Sequence, residues 1–152
     1  MAVSDPGTIL TTLATTLAGI DATGSYTYDL SDSDDRIQWG ALVAPPLVPC
    51  VTLMDYREPV QHGPPLGAYE RKGQVSVIGY VAGTEDTPKQ RLLAACDLLR
   101  DIRLALEGDR GLGGVIRDLV VEGEAFDGLE WGLSQLGVVV VQVGITYVDL
   151  PG

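Results

Sequence analysis

The glycines of this chain have the spacing that comes nearest to a known motif for binding a nucleotide. Residues 105–123, ALEGDRGLGGVIRDLVVEG, hold five of them, and Gly108 with Gly113 has the G-x-x-x-x-G spacing of a P-loop. A P-loop continues with a lysine for the β- and γ-phosphates and a hydroxyl residue for Mg²⁺. Gly114 and Val115 stand at those two positions. The segment therefore lacks the residues that would hold a nucleotide triphosphate.

A dinucleotide-binding fingerprint fails in the same segment. Gly111 and Gly113 begin the pattern G-x-G-x-x-G, but Ile116 stands where the third glycine is needed. The fingerprint also follows a strand, whereas these glycines follow a helical pattern. We interpret the segment as a turn and predict no cofactor.

An acidic segment offers the oxygen ligands that hard cations prefer, with carboxylates alternating along a loop: Asp29, Asp32, Asp34 and Asp35. The EF-hand pattern does not fit, because counting from Asp32 puts Ile37 at the glycine position and Val43 at the bidentate glutamate position. We favour a solvated acidic loop and predict no metal site.

Side chains suited to acid, base or nucleophilic chemistry are few. His62 is the single histidine and lies in a Gly/Pro-rich segment, with no Gly-x-Ser-x-Gly elbow in the chain. Asp97 and Asp101 share a helix face at i, i+4, but Arg100 lies within reach of Asp97, so an exposed, salt-bridged face is the simpler interpretation. We predict no catalytic residue.

Composition bounds the protein class. With 152 residues, 45% of them hydrophobic, the chain suffices for one hydrophobic core, so we expect a single domain over 1–152. A net charge of −11 repels phosphate backbones and anionic lipid, so neither nucleic acid nor a membrane is an expected ligand. Cys50 and Cys96 lie among apolar neighbours and are predicted to be buried free thiols, in keeping with a reducing cytoplasm.

Two amphipathic helices and several strands are predicted. The first helix begins after Ser4 or Asp5 and places Ile9, Leu13, Leu17 and Ile20 on one stripe. The second begins after Thr87, ends at Gly108 and is expected to bury Leu92, Ala95, Cys96, Leu99, Ile102 and Leu106.

Strands are predicted in SYTYDL, in CVTLMDYREP, in QVSVIGYVAG, after the glycine turn, and in GVVVVQVGITYVDL, with a long irregular segment at about 29–49. Only the two strands on either side of the long helix are placed for a crossover. The order indicates an α+β fold with a mostly antiparallel mixed sheet flanked by the two helices. Trp39 and Trp131 are expected in glycine-flanked loops.

The second half of the chain has a familiar order of elements. The helix RLLAACDLLRDIRLALEGD, the turn RGLGGV, the strand IRDLVVEG and the closing strand GVVVVQVGITYVDL span roughly residues 85–149. This layout resembles the tail terminator and tail-completion proteins of long-tailed bacteriophages. The first half fits more loosely, through an N-terminal helix followed by strands and a long loop.

The resemblance implies a structural protein of the virion and not an enzyme. It implies a hexameric ring, assembled in the host bacterial cytoplasm, that caps the head-proximal end of the tail tube, ends tail growth and joins the tail to the head. The implied partners are other copies of the chain, the tail tube protein and a neck or connector protein. DNA would pass through the lumen without specific binding, which suits acidic walls.

Candidate interface residues are basic or lie in the segment between two predicted strands. Arg57, Arg71 and Lys72 bound the predicted loop Arg57 to Lys72, and we hypothesise that this loop meets a tube or neck neighbour. His62 in the same loop and Arg110 beside the glycine turn are further candidates.

Two alternatives stay open. The chain could be another head-to-tail joining component, such as a stopper, neck or minor tail protein. It could also be a small cytoplasmic ligand-binding domain or enzyme that uses His62 with Asp55 or Glu58.

Overall fold

Two helices pack on one face of a five-stranded mixed sheet. The computed structural model describes residues 5–42, 45, 47–58, 69–131 and 135–149. Four of the strands are joined by antiparallel pairings, and one short edge strand pairs in parallel. The predicted α+β class and the mostly antiparallel mixed sheet are confirmed.

Both helices begin at the caps that the sequence predicts. Helix α1 (Pro6–Ala18) starts after Asp5, whose carboxylate accepts the Thr8 backbone N–H at 3.0 Å. Helix α2 (Pro88–Glu107) starts after Thr87, whose hydroxyl accepts a backbone N–H of the first turn. A side-chain acceptor satisfies one of the amides that a helix start leaves unpaired, and proline is tolerated there for the same reason.

The strands are β1 (Ile37–Trp39), β2 (Cys50–Arg57), β3 (Tyr69–Ala82), β4 (Asp118–Asp127) and β5 (Leu136–Asp149), in the spatial order β1-β2-β3-β5-β4. Strands β3 and β4 both run antiparallel to β5, which lies between them. They are therefore parallel to each other, and α2 makes the crossover between them. The prediction that the strands flanking the long helix form the crossover is confirmed.

The core lies between the helices and one face of the sheet, here called the helix-bearing face. Ile9, Leu13 and Leu17 of α1 are fully buried there, as predicted. Strand β5 adds its alternating residues to the same core: Val139, Val141, Val143, Ile145 and Tyr147. The opposite side, here called the far face, has a second buried cluster at one end: Cys50, Ile78, Tyr80 and Val138.

The segment at 29–49 is less irregular than the sequence indicates. The strand predicted in SYTYDL is wrong: within it Asp29 makes only an isolated bridge to Asp21. A strand forms instead at β1, preceded by a single 3₁₀ turn, Asp34–Arg36. The Arg36 guanidinium donates to the Pro49 carbonyl at 2.9 Å and so holds β1 beside β2, a contact between residues too far apart for local patterns to predict.

The prediction that Trp39 lies in a loop is also wrong. Trp39 ends β1, and its side chain is 54% exposed. The side chain of Trp131 lies outside the described residues.

The buried face of α2 is rotated from the predicted one. Leu92 is 42% exposed and Cys96 is exposed, so the prediction that both are buried is wrong. Two charged side chains are buried instead: Arg91, 6% exposed, and Asp101, 0% exposed. A charge is tolerated in such a place only when partners satisfy it, and both have partners from distant segments.

Arg91 joins the start of α2 to the end of β4. Its guanidinium donates to the Asp127 carboxylate at 2.7 and 3.1 Å and to Asp86 at 2.5 Å. The hydrogen bonds from Arg91 hold the pKa of Asp127 below its ordinary value. This bidentate pair fixes the helix across the crossover.

Candidate functional site

The glycine segment is a turn whose amides are occupied by its own chain. Gly113 and Gly114 have positive φ of 67° and 94°, which glycine adopts without steric cost. The Gly113 N–H donates to the Asp109 carboxylate at 3.0 Å, and the Gly114 and Ile116 N–H groups donate to the Gly111 carbonyl. A phosphate cradle needs such amides directed outward, so the structure supports the turn interpretation.

Arg110 lies next to this turn and is engaged within the chain. Its guanidinium donates to both carboxylate oxygens of Asp118, the first residue of β4, at 2.9 and 3.1 Å. These bonds lower the pKa of Asp118. Both side chains are about half exposed, so the pair is accessible on the surface.

The basic loop predicted at 57–72 is partly wrong. Arg57 ends β2, and Arg71 and Lys72 lie within β3, so only the residues between the strands could form a loop. Of these, residues 59–68, including His62, lie outside the described residues. Strand β3 begins before the predicted strand QVSVIGYVAG, because it pairs with β5 along its whole length.

Neighbouring residues of a strand point to opposite faces, and this separates two of the predicted interface residues. Arg71 pairs with Tyr147 on the helix-bearing face, whereas Lys72 pairs with Thr146 on the far face. Arg57 pairs with Gln74 and shares the far face with Lys72. One flat partner surface thus meets Arg57 and Lys72 together, but not Arg71.

The acidic segment caps local turns. The Asp29 carboxylate accepts both the backbone N–H and the hydroxyl of Ser31, at 2.8 and 2.6 Å, which lowers the pKa of Asp29. Asp32 forms an ion pair with Arg36. Across the described ranges, no three His, Cys, Asp or Glu side chains are grouped as a metal ion requires.

The prediction that Asp97 and Asp101 share an exposed face of α2 is wrong for Asp101. Its carboxylate is buried and accepts the Thr27 N–H at 3.0 Å on both oxygens and the Tyr28 N–H at 2.8 Å. Asp97, four residues earlier, is exposed. The two therefore occupy different environments, and Asp101 anchors the segment that follows α1 instead of facing solvent.

A polar cleft of about 490 Å³ lies at an irregularity of β2, lined by Asp55, Tyr56, Arg57, Gln74, Ser76 and Gln142. The β2–β3 register shifts between Met54 and Arg57, and Asp55 has a positive φ of 59°, which aspartate tolerates better than most residues. This bulge turns the Asp55 carboxylate toward the cleft.

Glu58 lies at the other side of the same strand end. Its carboxylate accepts the hydroxyl of Tyr56 at 3.0 Å and the hydroxyl of Tyr147. Burial, followed by the Glu58 hydrogen bond, raises the pKa of Tyr56. Tyr56 and Tyr147 belong to the helix-bearing core, so Asp55 and Glu58 do not converge on one site among the described residues.

An open sheet edge is the feature that the sequence analysis missed. Strand β4 pairs with β5 from Asp118 to Asp127 without a register shift, and no described strand pairs with its other side. On this strand Val120 is 56% exposed. The sequence of this strand, DLVVEGEAFD, has four acids and no cation, and this composition was the signal that could have marked it as an exposed edge.

Comparison with known proteins gives no family: no protein-family model matches the chain, and no curated protein sequence matches it significantly. Within the described part of the chain, neither helix combines the length and the apolar composition needed to cross a membrane. A functional proposal for this chain therefore depends on the order of its elements and on its surfaces.

Proposed function

We propose that this chain is a structural assembly protein of a long-tailed bacteriophage, a tail terminator. In this proposal, copies of the chain form a ring on the head-proximal end of the tail tube. One face of the ring binds the tube, and the other offers no site for a further tube subunit. Tail growth then stops, and the exposed face receives the neck or connector protein.

The order of elements in the second half is the observation that carries the proposal. The resemblance to tail terminators depends on a helix, a glycine turn and two strands over roughly 85–149, and the structure has α2, the turn, β4 and β5 in that order. The two strands pair along ten residues, with α2 packed over them. The agreement supports the layout on which the resemblance rests.

Surface character gives further support. The exposed large apolar side chains include Trp39, Leu92, Leu93, Val120 and Leu129. Val120 lies on the open edge strand β4 and Leu129 follows it directly, whereas Trp39 lies on β1 at the opposite end of the sheet. Exposed apolar side chains at sheet edges are typical of surfaces that bind protein. The charge of −11 per copy suits a lumen that DNA crosses without binding, because acidic walls repel phosphates.

A tube-capping assay tests the proposal. Purified tube protein from the same genome is polymerised with and without a molar excess of the chain, and tube lengths are measured by negative-stain electron microscopy. We expect shorter tubes that carry extra density at one end. Tubes of unchanged length without terminal density would overturn the terminator function.

Arg71 and Lys72 give a more local test of tube binding. Because these residues lie on opposite faces of β3, Arg71→Glu and Lys72→Glu are tested as separate variants, and the one whose side chain meets the tube should co-sediment less with preformed tubes than the wild-type chain does. A matched control is Lys89→Glu on an exposed position of α2, with the same change in net charge. Equal co-sedimentation of all four proteins would remove both residues from the tube contact.

The polar cleft beside Asp55 is the observation that favours a second candidate, a small ligand-binding domain or enzyme. A few convergent polar groups in a cleft are typical of ligand sites. The tube-capping assay separates the two functions, because a ligand-binding domain or enzyme would leave tube length unchanged. If the wild-type chain caps tubes, His62→Ala should keep this activity, and loss of capping in a folded His62→Ala variant would assign His62 to the tube contact.

A further inference from the structure

The open edge of β4 has the geometry to receive another chain. Its residues pair with β5 on one side, and no described strand lies on the other. An unpaired edge exposes alternate backbone N–H and C=O groups that can pair with a neighbouring chain. β4 has ten residues and contains no proline, lysine or bulge that would block such pairing.

Helix α2 provides an apolar surface above this edge. A Cβ at Gly123 of β4 would overlap the Leu99 side chain, which shows how closely the helix lies over the strand. On α2, Leu92 is 42% exposed, Cys96 is exposed and Leu99 is half-buried. An added chain beside β4 would cover these side chains.

Charge on β4 is strongly one-sided. Its four acids are Asp118, Glu122, Glu124 and Asp127. Arg110 and Arg91 neutralise the two terminal ones. Glu122 and Glu124 are exposed on the far face, and neither forms an ion pair within the described ranges.

Unpaired cations lie across the same face. Arg57 and Lys72 are exposed, and no ion pair joins either of them to another described residue. Lys72 is two strands from β4 and Arg57 is three, which separates them from β4 by roughly 10 and 14 Å across the sheet at about 4.8 Å per strand. Lys72 is in register with Asp118 and Arg57 with Val120, so Glu122 and Glu124 lie further away still along β4. The cations of one copy therefore do not reach Glu122 and Glu124 of that same copy.

Nearby acids do not cancel these cations. Glu58 faces the helix-bearing side, where Tyr56 and Tyr147 donate to it. Glu70, two residues before Lys72 on the same face, is paired with Arg117 at 2.8 Å. Asp55 lines the cleft beside Arg57. The far face of the β2–β3 end thus presents two cations without an ion-pair partner among the described residues, against Asp55 and an already paired Glu70.

This distribution selects one kind of self-association. A two-fold contact that paired β4 with β4 of a second copy would bring Glu122 and Glu124 against their equivalents, and like charges across strands are destabilising. A head-to-tail contact brings acids against cations instead. Such heterologous contacts close into rings when the rotation between copies allows it.

We propose that the β4 edge of one copy, with Glu122 and Glu124, docks against the Arg57 and Lys72 end of the next copy. The occupant of the open edge is a second copy of this chain. The proposal deepens the ring of the proposed function and rests on it.

Complementary charge reversal tests the contact. Variant A is Glu122→Lys/Glu124→Lys and variant B is Arg57→Glu/Lys72→Glu. In A both contact surfaces are basic, and in B both are acidic, so neither should assemble alone. In an equimolar mixture every contact joins unlike charges, so rings with alternating A and B should form.

Native mass spectrometry and sedimentation velocity measure the outcome at low salt, up to millimolar concentration. We expect the wild-type chain to form a discrete ring, each variant alone to self-associate roughly tenfold more weakly or worse, and the mixture to recover the ring with equal numbers of A and B. The control Glu85→Lys/Asp97→Lys makes the same change in net charge as A at other exposed positions and should assemble as wild type does.

Three results would overturn the contact: variants that assemble as well as wild type, a mixture that recovers no ring, or a wild-type chain that stays monomeric throughout. In the first case the ring and the proposed function stand, with the interface elsewhere on the chain. In the third case the tube-capping assay still decides the terminator function separately.

Discussion

Replacing Asp101 by alanine tests whether a buried carboxylate holds the segment after α1 in place. The side chain is 0% exposed and its two oxygens accept the backbone N–H groups of Thr27 and Tyr28. Arg100, the next residue towards the helix start, donates to the Ser25 carbonyl at 3.2 Å and reinforces the same contact. Without the Asp101 carboxylate, two amides lose their acceptor.

The magnitude follows from those two amides. A buried amide without an acceptor costs about 1–3 kcal/mol, which gives about 2–6 kcal/mol for the pair. Thr27 is exposed and Tyr28 is only half-buried, so water would satisfy part of the loss. We expect Asp101→Ala to lower the free energy of unfolding by about 2–4 kcal/mol. Asp101→Asn keeps one acceptor oxygen and should fall between alanine and wild type.

Urea unfolding followed by circular dichroism measures this difference. Asp97→Ala on the exposed side of the same helix is the matched control and should change the free energy by no more than about 0.5 kcal/mol. Amide hydrogen exchange should also speed up at Thr27 and Tyr28 in Asp101→Ala. If Asp101→Ala and Asp97→Ala unfold at the same urea concentration, the anchoring role of Asp101 is refuted.

Three further predictions concern packing, pH and thiol access. Gly137→Ala should destabilise the chain markedly, because a Cβ there would overlap a backbone carbonyl of α2, whereas Gly144→Ala in the same strand meets only ordinary contacts; urea unfolding of the two variants should differ in that order. The pKa of Asp127 is lowered in the folded chain. Its ion pair with Arg91 therefore stabilises the fold at pH values above the ordinary pKa of 3.8, and this stabilisation is lost as the pH falls through the lowered pKa of the folded chain. Asp127→Asn should therefore be less stable than wild type at neutral pH, and the difference should shrink in acid; a constant difference would contradict the linkage. Cys96 is exposed and should react with a maleimide in the native chain, whereas Cys50, buried and with its pKa raised to about 11, should react only after unfolding.

Local signals predicted much of the fold, because they act within a few residues. The caps at Asp5 and Thr87 depend on side chains three residues from the amides that they bind. The alternation of β5 depends on a two-residue period. These features were predictable since no distant partner decides them.

The rotation of α2 was not predictable in the same way. A hydrophobic stripe through Leu92 and Cys96 is a reasonable expectation, but the buried face is fixed by Arg91 and Asp101. Their partners lie 36 residues ahead, at Asp127, and more than 70 residues back, in the segment after α1. A pattern that treats charged residues as exposed cannot include such pairs.

The candidate interface shows the same limit at the level of charge. A net charge of −11 predicts that copies of this chain repel one another on average. Association then depends on where the few cations lie, and that is decided by the strand register. Pairing of Lys72 with Thr146, and of Arg57 with Gln74, puts both cations on the far face, whereas Arg71 goes to the helix-bearing face. A shift of one residue in β3 would exchange Arg71 and Lys72, so the register alone determines which of these cations a neighbouring copy would meet.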